Sequence, residues 1–187
     1  MKGIIFNLLE GFLTERLGEE KFDELIEGCS LKTRGPFVGP GSYPDEDLLA
    51  IVDRAVEVTG MTKPDTLRAF GRFCVGRLAR KYPVFFDKYD HAKAFLKTLN
   101  AMHSLELKKL CADAKPPEFV MEDPSPDRLM LRYTSERKLC PFMEGLIEGV
   151  AEHYRSPIRH RQRQCMLEGG ASCEFELEFE PAGVVAT

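Results

Sequence analysis

No stretch of this chain approaches the roughly 18 apolar residues that a membrane-spanning helix requires. Positive charge is not in excess either: 26 Lys and Arg stand against 30 Asp and Glu, for a net charge of -4. That balance disfavours an electrostatic grip on nucleic acid, which needs a concentrated basic surface. Tryptophan is absent and there are only four histidines, so each histidine can be weighed individually. The opening "MKGIIFNLLEGFLTERLGEE" starts apolar, but Glu10, Glu15 and Glu19 interrupt it at helical spacing and no small-residue cleavage site follows. A mature N-terminal helix in a cytoplasmic protein is expected, with neither membrane nor nucleic acid as a partner. Six cysteines without a signal peptide read as thiols or metal ligands rather than a disulfide framework. Repeats, low-complexity tracts and interior linkers are missing too, so one domain with a substantial core is expected.

What is present falls into two pattern classes. In "IIFNLLEGFLTERL", Ile5, Leu8, Leu9, Phe12 and Leu13 share one helical stripe. Asp45 can cap "EDLLAIVDRAVEVTG", which Gly60 ends; Thr62-Lys63-Pro64-Asp65 opens "TLRAFGRFCVGRLARKY", with proline in the first turn where its missing N–H costs least. After "YPVFFDKYD", one long helix is expected over "HAKAFLKTLNAMHSLELKKLCADA". Pro116-Pro117 then marks a change of class. "EFVMED" and "DRLMLRYTSER" flank a turn at "DPSPD" as one hairpin, "KLCPFMEGLIEGVAEHY" returns to helix, and "SPIRHRQRQCMLEGGASCEFELEFE" is a second hairpin around "EGGA". The expected fold class is α+β: a helical N-terminal part packed on a four-stranded antiparallel sheet with a helix inserted between its hairpins. The basic run Arg155, Arg159, His160, Arg161 and Arg163 reads as a solvated strand face.

The residue that asks for an explanation is His103. Its helical neighbours are Leu96, Leu99, Leu107 and Leu110, which puts an imidazole on an apolar stripe. Tyr133, Ser135 and Arg137 in "YTSER" are spaced by two, so an extended chain would point two hydroxyls and a guanidinium fork one way, a geometry suited to carboxylate or phosphate. An imidazole with a convergent anion-binding trio is what a haem requires: one nitrogen for iron and partners for two propionates.

His103 followed by "KPPEF", "YTSER" and "GLIEG", together with the start "MKGII", resembles the H-NOX family of haem nitric oxide/oxygen-binding domains, related to the sensor region of soluble guanylate cyclase. The resemblance implies one haem-binding domain over residues 1–181, helical to about 113 and sheet-containing from about 114, with 182–187 as a tail. It implies haem b, with His103 as proximal ligand and Tyr133, Ser135 and Arg137 on the propionates. Pro117 and Ile5 match residues that press on the porphyrin. Phe142 stands where family members that hold oxygen stably have a tyrosine donor; Cys74 and Leu146 match further distal positions. Phenylalanine cannot donate a hydrogen bond, so the resemblance implies selectivity for nitric oxide, with carbon monoxide a second candidate gas.

In one bacterial branch of the family, three cysteines and a histidine hold a structural zinc. Cys140, Cys165 and Cys173 match the cysteines, but Gln162 stands in place of the histidine and the nearest imidazole is His160. Zinc and a set of reduced thiols stay open as alternatives, since tetrahedral zinc needs four ligands. His91 and His153 are expected at the surface, while Cys29 and Cys111 receive no role. The leading expectation is a haem-based nitric oxide sensor without catalysis of its own, signalling through a histidine kinase or a cyclic-di-nucleotide enzyme. The alternative is a haem-free zinc or thiol redox-sensing module. An enzyme using His103 as general base ranks last, because its helical neighbours are leucines rather than groups that would orient the ring.

Overall fold

The computed structural model describes residues 1–33, 35–103 and 116–180. Helices α1 (Gly3–Leu17), α2 (Glu19–Glu27), α3 (Asp45–Thr59) and α4 (Lys63–Lys81) come first, and three short ones, α5 (Pro83–Phe86), α6 (Ala92–Leu96) and α7 (Leu99–Met102), lead to His103. Strands β1 (Glu118–Ser125) and β2 (Arg128–Thr134), helix α8 (Cys140–His153), and strands β3 (Ile158–Gln164) and β4 (Cys173–Phe179) follow. The strands form one antiparallel sheet in the order β1-β2-β4-β3. This is the α+β arrangement expected from the sequence, with α8 inserted between two hairpins.

Local chemistry accounts for several helix ends. The Thr62 hydroxyl accepts the Asp65 N–H at 3.2 Å and Pro64 lies in the first turn of α4. Gly60 adopts φ +71° and stops α3. Asp45 differs from its expected role as a cap. It is the first residue of α3, and its carboxylate is taken by two cations: the N-terminal ammonium at 2.5 Å and Arg137 Nε at 2.7 Å.

The long helix expected through His103 is divided in two. Thr98 Oγ1 donates to the Phe95 carbonyl at 2.6 Å and the Thr98 N–H to the same oxygen at 2.9 Å, which tightens the chain between α6 and α7. Leu107, Leu110 and Cys111 lie outside the described residues. The first hairpin also turns later than "DPSPD" suggested. β1 continues through Asp123 and Pro124, and a register shift between Glu122 and Ser125 absorbs the proline, which has no N–H to give the ladder. Lys93 Nζ holds that turn, donating to the carbonyls of Ser125 at 2.6 Å and Pro126 at 3.1 Å and pairing with Asp123 at 2.5 Å.

Two apolar cores result. One joins the inner face of the sheet (Leu129, Leu131, Phe175, Leu177) to α5, α6, α8 and the C-terminal half of α4. The other joins α1, α2, α3 and the N-terminal half of α4. Leu78 and Leu146 pack against both, so α4 and α8 form the seam between them. On the outer face of the sheet, Arg159 meets Glu180, Arg163 meets Glu176 and Arg132 meets Glu174. These basic residues are thus neutralised pairwise rather than gathered into an anion-binding patch.

Candidate functional site

His103 lies one residue beyond α7, and its Nδ1 is 2.8 Å from the Leu99 carbonyl oxygen. A ring nitrogen spent on a backbone carbonyl fixes the ring and makes Nε2 the nitrogen that can ligate. Burial pushes the imidazole below its usual pKa, and the Leu99 carbonyl offsets part of that; a neutral imidazole is the ligating form. The ring packs 5.1 Å from Phe119, whose own ring lies 5.8 Å from its cross-strand partner Tyr133. A line of three rings therefore links the imidazole to the start of the "YTSER" motif.

That motif converges by a different route from the one its spacing suggested. β2 ends at Thr134, so strand alternation stops after Tyr133. A turn completes the trio: the Arg137 N–H donates to Ser135 Oγ at 3.3 Å and the Lys138 N–H to the Ser135 carbonyl at 3.1 Å. Burial pushes the Tyr133 phenol up, while a hydrogen bond with Ser135 acts in the opposite direction. The Arg137 guanidinium is held by Asp45. Burial raises the Asp45 carboxyl, but its bonds to the N-terminal ammonium and Arg137 outweigh this and keep it below the usual carboxylate range. A cavity of about 250 Å³ opens beside Arg137, lined by Met1, Leu48, Leu49 and Leu139 among others.

This donor set fits a haem: an oriented imidazole for iron, and two hydroxyls with a guanidinium for carboxylates. Across the seam stand the residues expected on the other face of the ring. Cys74 is fully buried, Phe142 packs 5.1 Å from Phe70, and Ile5 is half-buried against the N-terminal core. Pro117 is half-buried immediately before β1.

Comparison with known proteins agrees with this geometry. A family model described as haem-NO-binding matches residues 2–162. The chain belongs to the H-NOX family. An H-NOX protein from S. oneidensis in the Fe(II)NO state is 31% identical, with a TM-score of 0.88 over 96% of this chain and 99% of that one. The H-NOX domain from Shewanella oneidensis in the Fe(II)CO state is likewise 31% identical, with a TM-score of 0.88 over 97% and 99%. An Fe(II) unliganded H-NOX protein from K. algicida, 24% identical, shares the fold with a TM-score of 0.85 over 96% and 97%. No curated protein sequence matches.

In this H-NOX chain the seam between α4 and α8 is held by contacts that residue types alone did not reveal. A Cβ on Gly71 would overlap the Phe142 carbonyl oxygen, one on Gly145 would overlap that of Arg68, and one on Gly149 would come within 2.8 Å of the Arg72 oxygen. Helices α4 and α8 therefore touch backbone to backbone, placing Cys74 and Phe142 across the seam. Arg68 with Glu144 and Glu148, and Arg72 with Glu152, brace the outside of the crossing. Arg68, Arg72, Glu148 and Glu152 line an open cleft of about 900 Å³ together with Glu15, Arg16 and Asp65, away from His103. Phe119 and Asp45 also escaped sequence reading. Phe119 shows only as an apolar position in "EFVM", and the partnership of Asp45 with Arg137 spans 92 residues of chain.

The second expected cluster is partly assembled. The thiols of Cys140, Cys165 and Cys173 lie within 4.8 Å of one another. Among the described residues His160 is not part of this group; it pairs with Leu177 on β4, two positions before the expected histidine site on β3. Gln162 pairs with Phe175, and its Nε2 is buried with no hydrogen-bond partner among the described residues. Three sulfurs without the imidazole do not complete the tetrahedral set of three cysteines and one histidine. Burial pushes the Cys140 and Cys173 thiols up. Of the two remaining histidines, His91 is not merely superficial: its Nδ1 accepts the Lys93 N–H at 3.2 Å at the start of α6, and its Nε2 meets Ser156 Oγ at 3.1 Å. His153 packs edge-on to Phe86 at 5.2 Å.

Proposed function

We propose that this H-NOX domain is a ferrous haem b sensor selective for nitric oxide, with carbon monoxide as a second ligand. It would act in the cytoplasm and pass its signal to a histidine kinase or a cyclic-di-nucleotide enzyme without catalysing a reaction itself. The observation that carries the reading is the placement of an oriented imidazole, His103, in ring contact with the strand pair that bears Tyr133, at the head of a hydroxyl and guanidinium trio. Solved relatives in Fe(II)NO and Fe(II)CO states support the choice of gases. Haem supplies the iron at which the gas binds. His103 holds the proximal position, and Tyr133, Ser135 and Arg137 hold the propionates. Pro117 and Ile5 would press on the ring, while Phe142, Cys74 and Leu146 would give the distal side apolar surface without a strong donor. Nitric oxide binds ferrous iron strongly without such a donor, whereas bound oxygen carries partial negative charge and benefits from one.

Release of His103 would free the chain beyond α7 and let the helical part shift against the sheet, because a ligand moves such an equilibrium only through differential affinity for its two states. No helix among the described residues is long and apolar enough to cross a membrane. The haem-free redox alternative ranks lower, since reactive cysteines are those whose pKa is lowered, and burial here works the other way.

Absorbance of anaerobically reduced protein, before and after nitric oxide, tests the proposal. A Soret band that moves to the short-wavelength position of a five-coordinate nitrosyl supports both haem and His103 release. Protein that stays colourless after added haemin overturns it.

A further inference from the structure

The thiol cluster is built from three separate elements, each fixed by the backbone. Cys140 is the first residue of α8, and its Sγ lies 3.6 Å from the Lys138 carbonyl oxygen. Cys173 opens β4 and accepts the Met166 N–H at 3.4 Å. Cys165 follows β3 in a loop folded back on it, with the Glu168 and Gly170 N–H groups both donating to its carbonyl at 3.1 and 2.9 Å. The sulfurs are therefore gathered from three elements by the fold, with Cys140 and Cys173 2.8 Å apart. Metal–sulfur bonds of about 2.3 Å span sulfurs up to about 4.6 Å apart, so small side-chain adjustments bring all three within reach of one central atom. The position from which the family's fourth ligand would come carries the amide of Gln162, a far weaker donor than imidazole, and His160 is turned to a different register.

Charge points the same way as coordination number. Three thiolates around Zn²⁺ leave one net negative charge in a site where two sulfurs are buried, and such a charge is costly without compensating partners. Three thiolates around a trivalent centre leave none. We propose that Cys140, Cys165 and Cys173 form a trigonal site for a trivalent thiophilic ion of the arsenic(III) class, in place of the tetrahedral zinc site. Arsenous acid binds there by condensation: three S–H bonds and three As–OH bonds break, three As–S bonds form and three waters leave, with no change of oxidation state. Cys173 pairs across the sheet with Tyr133, but none of the three thiols belongs to the set proposed to hold the haem, so arsenite binding is read separately from the nitric oxide reading.

The test titrates reduced, metal-free protein with arsenite and, separately, with Zn²⁺. It reads the near-ultraviolet sulfur-to-metal charge-transfer band, the mass of the native complex, and zinc affinity against a chromophoric chelator. One arsenic per chain is expected, with the mass of three condensed thiols. Cys165→Ser is the informative variant because Cys165 is half-buried in a loop; it should weaken arsenite binding at least tenfold, whereas Cys29→Ser should leave it unchanged. Gln162→His should raise zinc affinity by about tenfold or more, as a restored metal partner does. Arsenite binding insensitive to Cys165→Ser overturns the proposal. So does zinc held equally tightly by the wild-type and Gln162→His proteins, which would mean that the amide or a water completes a tetrahedron.

Discussion

On the side of Cys74 and Phe142, α4 and α8 meet through Gly71, Gly145 and Gly149, with arginine–glutamate pairs across the outside of the crossing. On the side of His103, the imidazole follows helices of only five and four residues, broken at Thr98. Its anchors are one carbonyl contact, one ring contact and the buried Lys93 that ties α6 to the first hairpin. The α4–α8 wall is thus a backbone-to-backbone contact, in which a side chain at any of the three glycines would run into the facing helix. The wall at His103 is a chain of small local units, the kind of segment that opens at low cost. One wall is stiff and the other compliant, and the two stand on opposite sides of the proposed site.

The largest expected effect comes from breaking the rigid wall. Gly145→Ala puts a methyl group into the Arg68 carbonyl, and because backbone rather than a flexible side chain stands in the way, a loss of about 3 kcal/mol is expected. Thermal unfolding would show it as a substantial drop in Tm, while Gly76→Ala, where a Cβ meets nothing within 4 Å, should not destabilise. Next is the tie on the proximal side. Lys93→Met removes two carbonyl hydrogen bonds and leaves Asp123 with Lys97 alone among the described residues, at a cost of about 2 kcal/mol in denaturant unfolding. The exposed Lys97→Met should cost well under about 1 kcal/mol. If both lysine variants behave alike, the contrast between the buried and the surface pair fails.

Phe142→Tyr sharpens the comparison from the distal side. A hydroxyl introduced there should slow oxygen dissociation from ferrous protein about tenfold, the worth of one hydrogen bond near 1.4 kcal/mol, as read by stopped-flow absorbance. Nitric oxide binding should change little.

The smallest effect concerns acid. Asp47 is buried and accepts the N–H groups of Lys32 at 2.7 Å and Thr33 at 3.0 Å. Burial raises its pKa, but these bonds outweigh that and leave it lowered. A lowered folded pKa means stabilisation that is complete above the ordinary carboxylate value of about 4 and is lost as pH falls below it through the folded value. Tm measured against pH should therefore fall on the acid side, and Asp47→Asn should flatten that fall.

Much of this was legible from residue order, because the signals are local. Gly60 at φ +71° and Thr62 with Pro64 mark helix ends whose chemistry lies within a few residues. The alternation of Phe175, Leu177 and Phe179 sets one face of β4 against the core. The spacing from Tyr133 to Arg137 suggested a trio on one strand face, whereas a turn brings these residues together, since nothing local announced that β2 ends at Thr134. The break at Thr98 was also hidden, because one side-chain hydrogen bond decides it against an otherwise helical pattern.

By itself, then, the sequence determined the helix and strand periods, the α+β class, and the residue types from which a haem site and a sulfur site can be drawn, all of them properties of spacing and side-chain chemistry. Tertiary structure alone decided which distant residues meet. It joined Asp45 to Arg137 and to the chain's own ammonium, His103 to Phe119 on a strand beyond it, and Gly145 to the backbone of α4. It also gathered three cysteines from three elements while leaving His160 outside among the described residues. The physical reason is that burial and close packing act between surfaces brought together by folding, and no local period encodes which surfaces those will be.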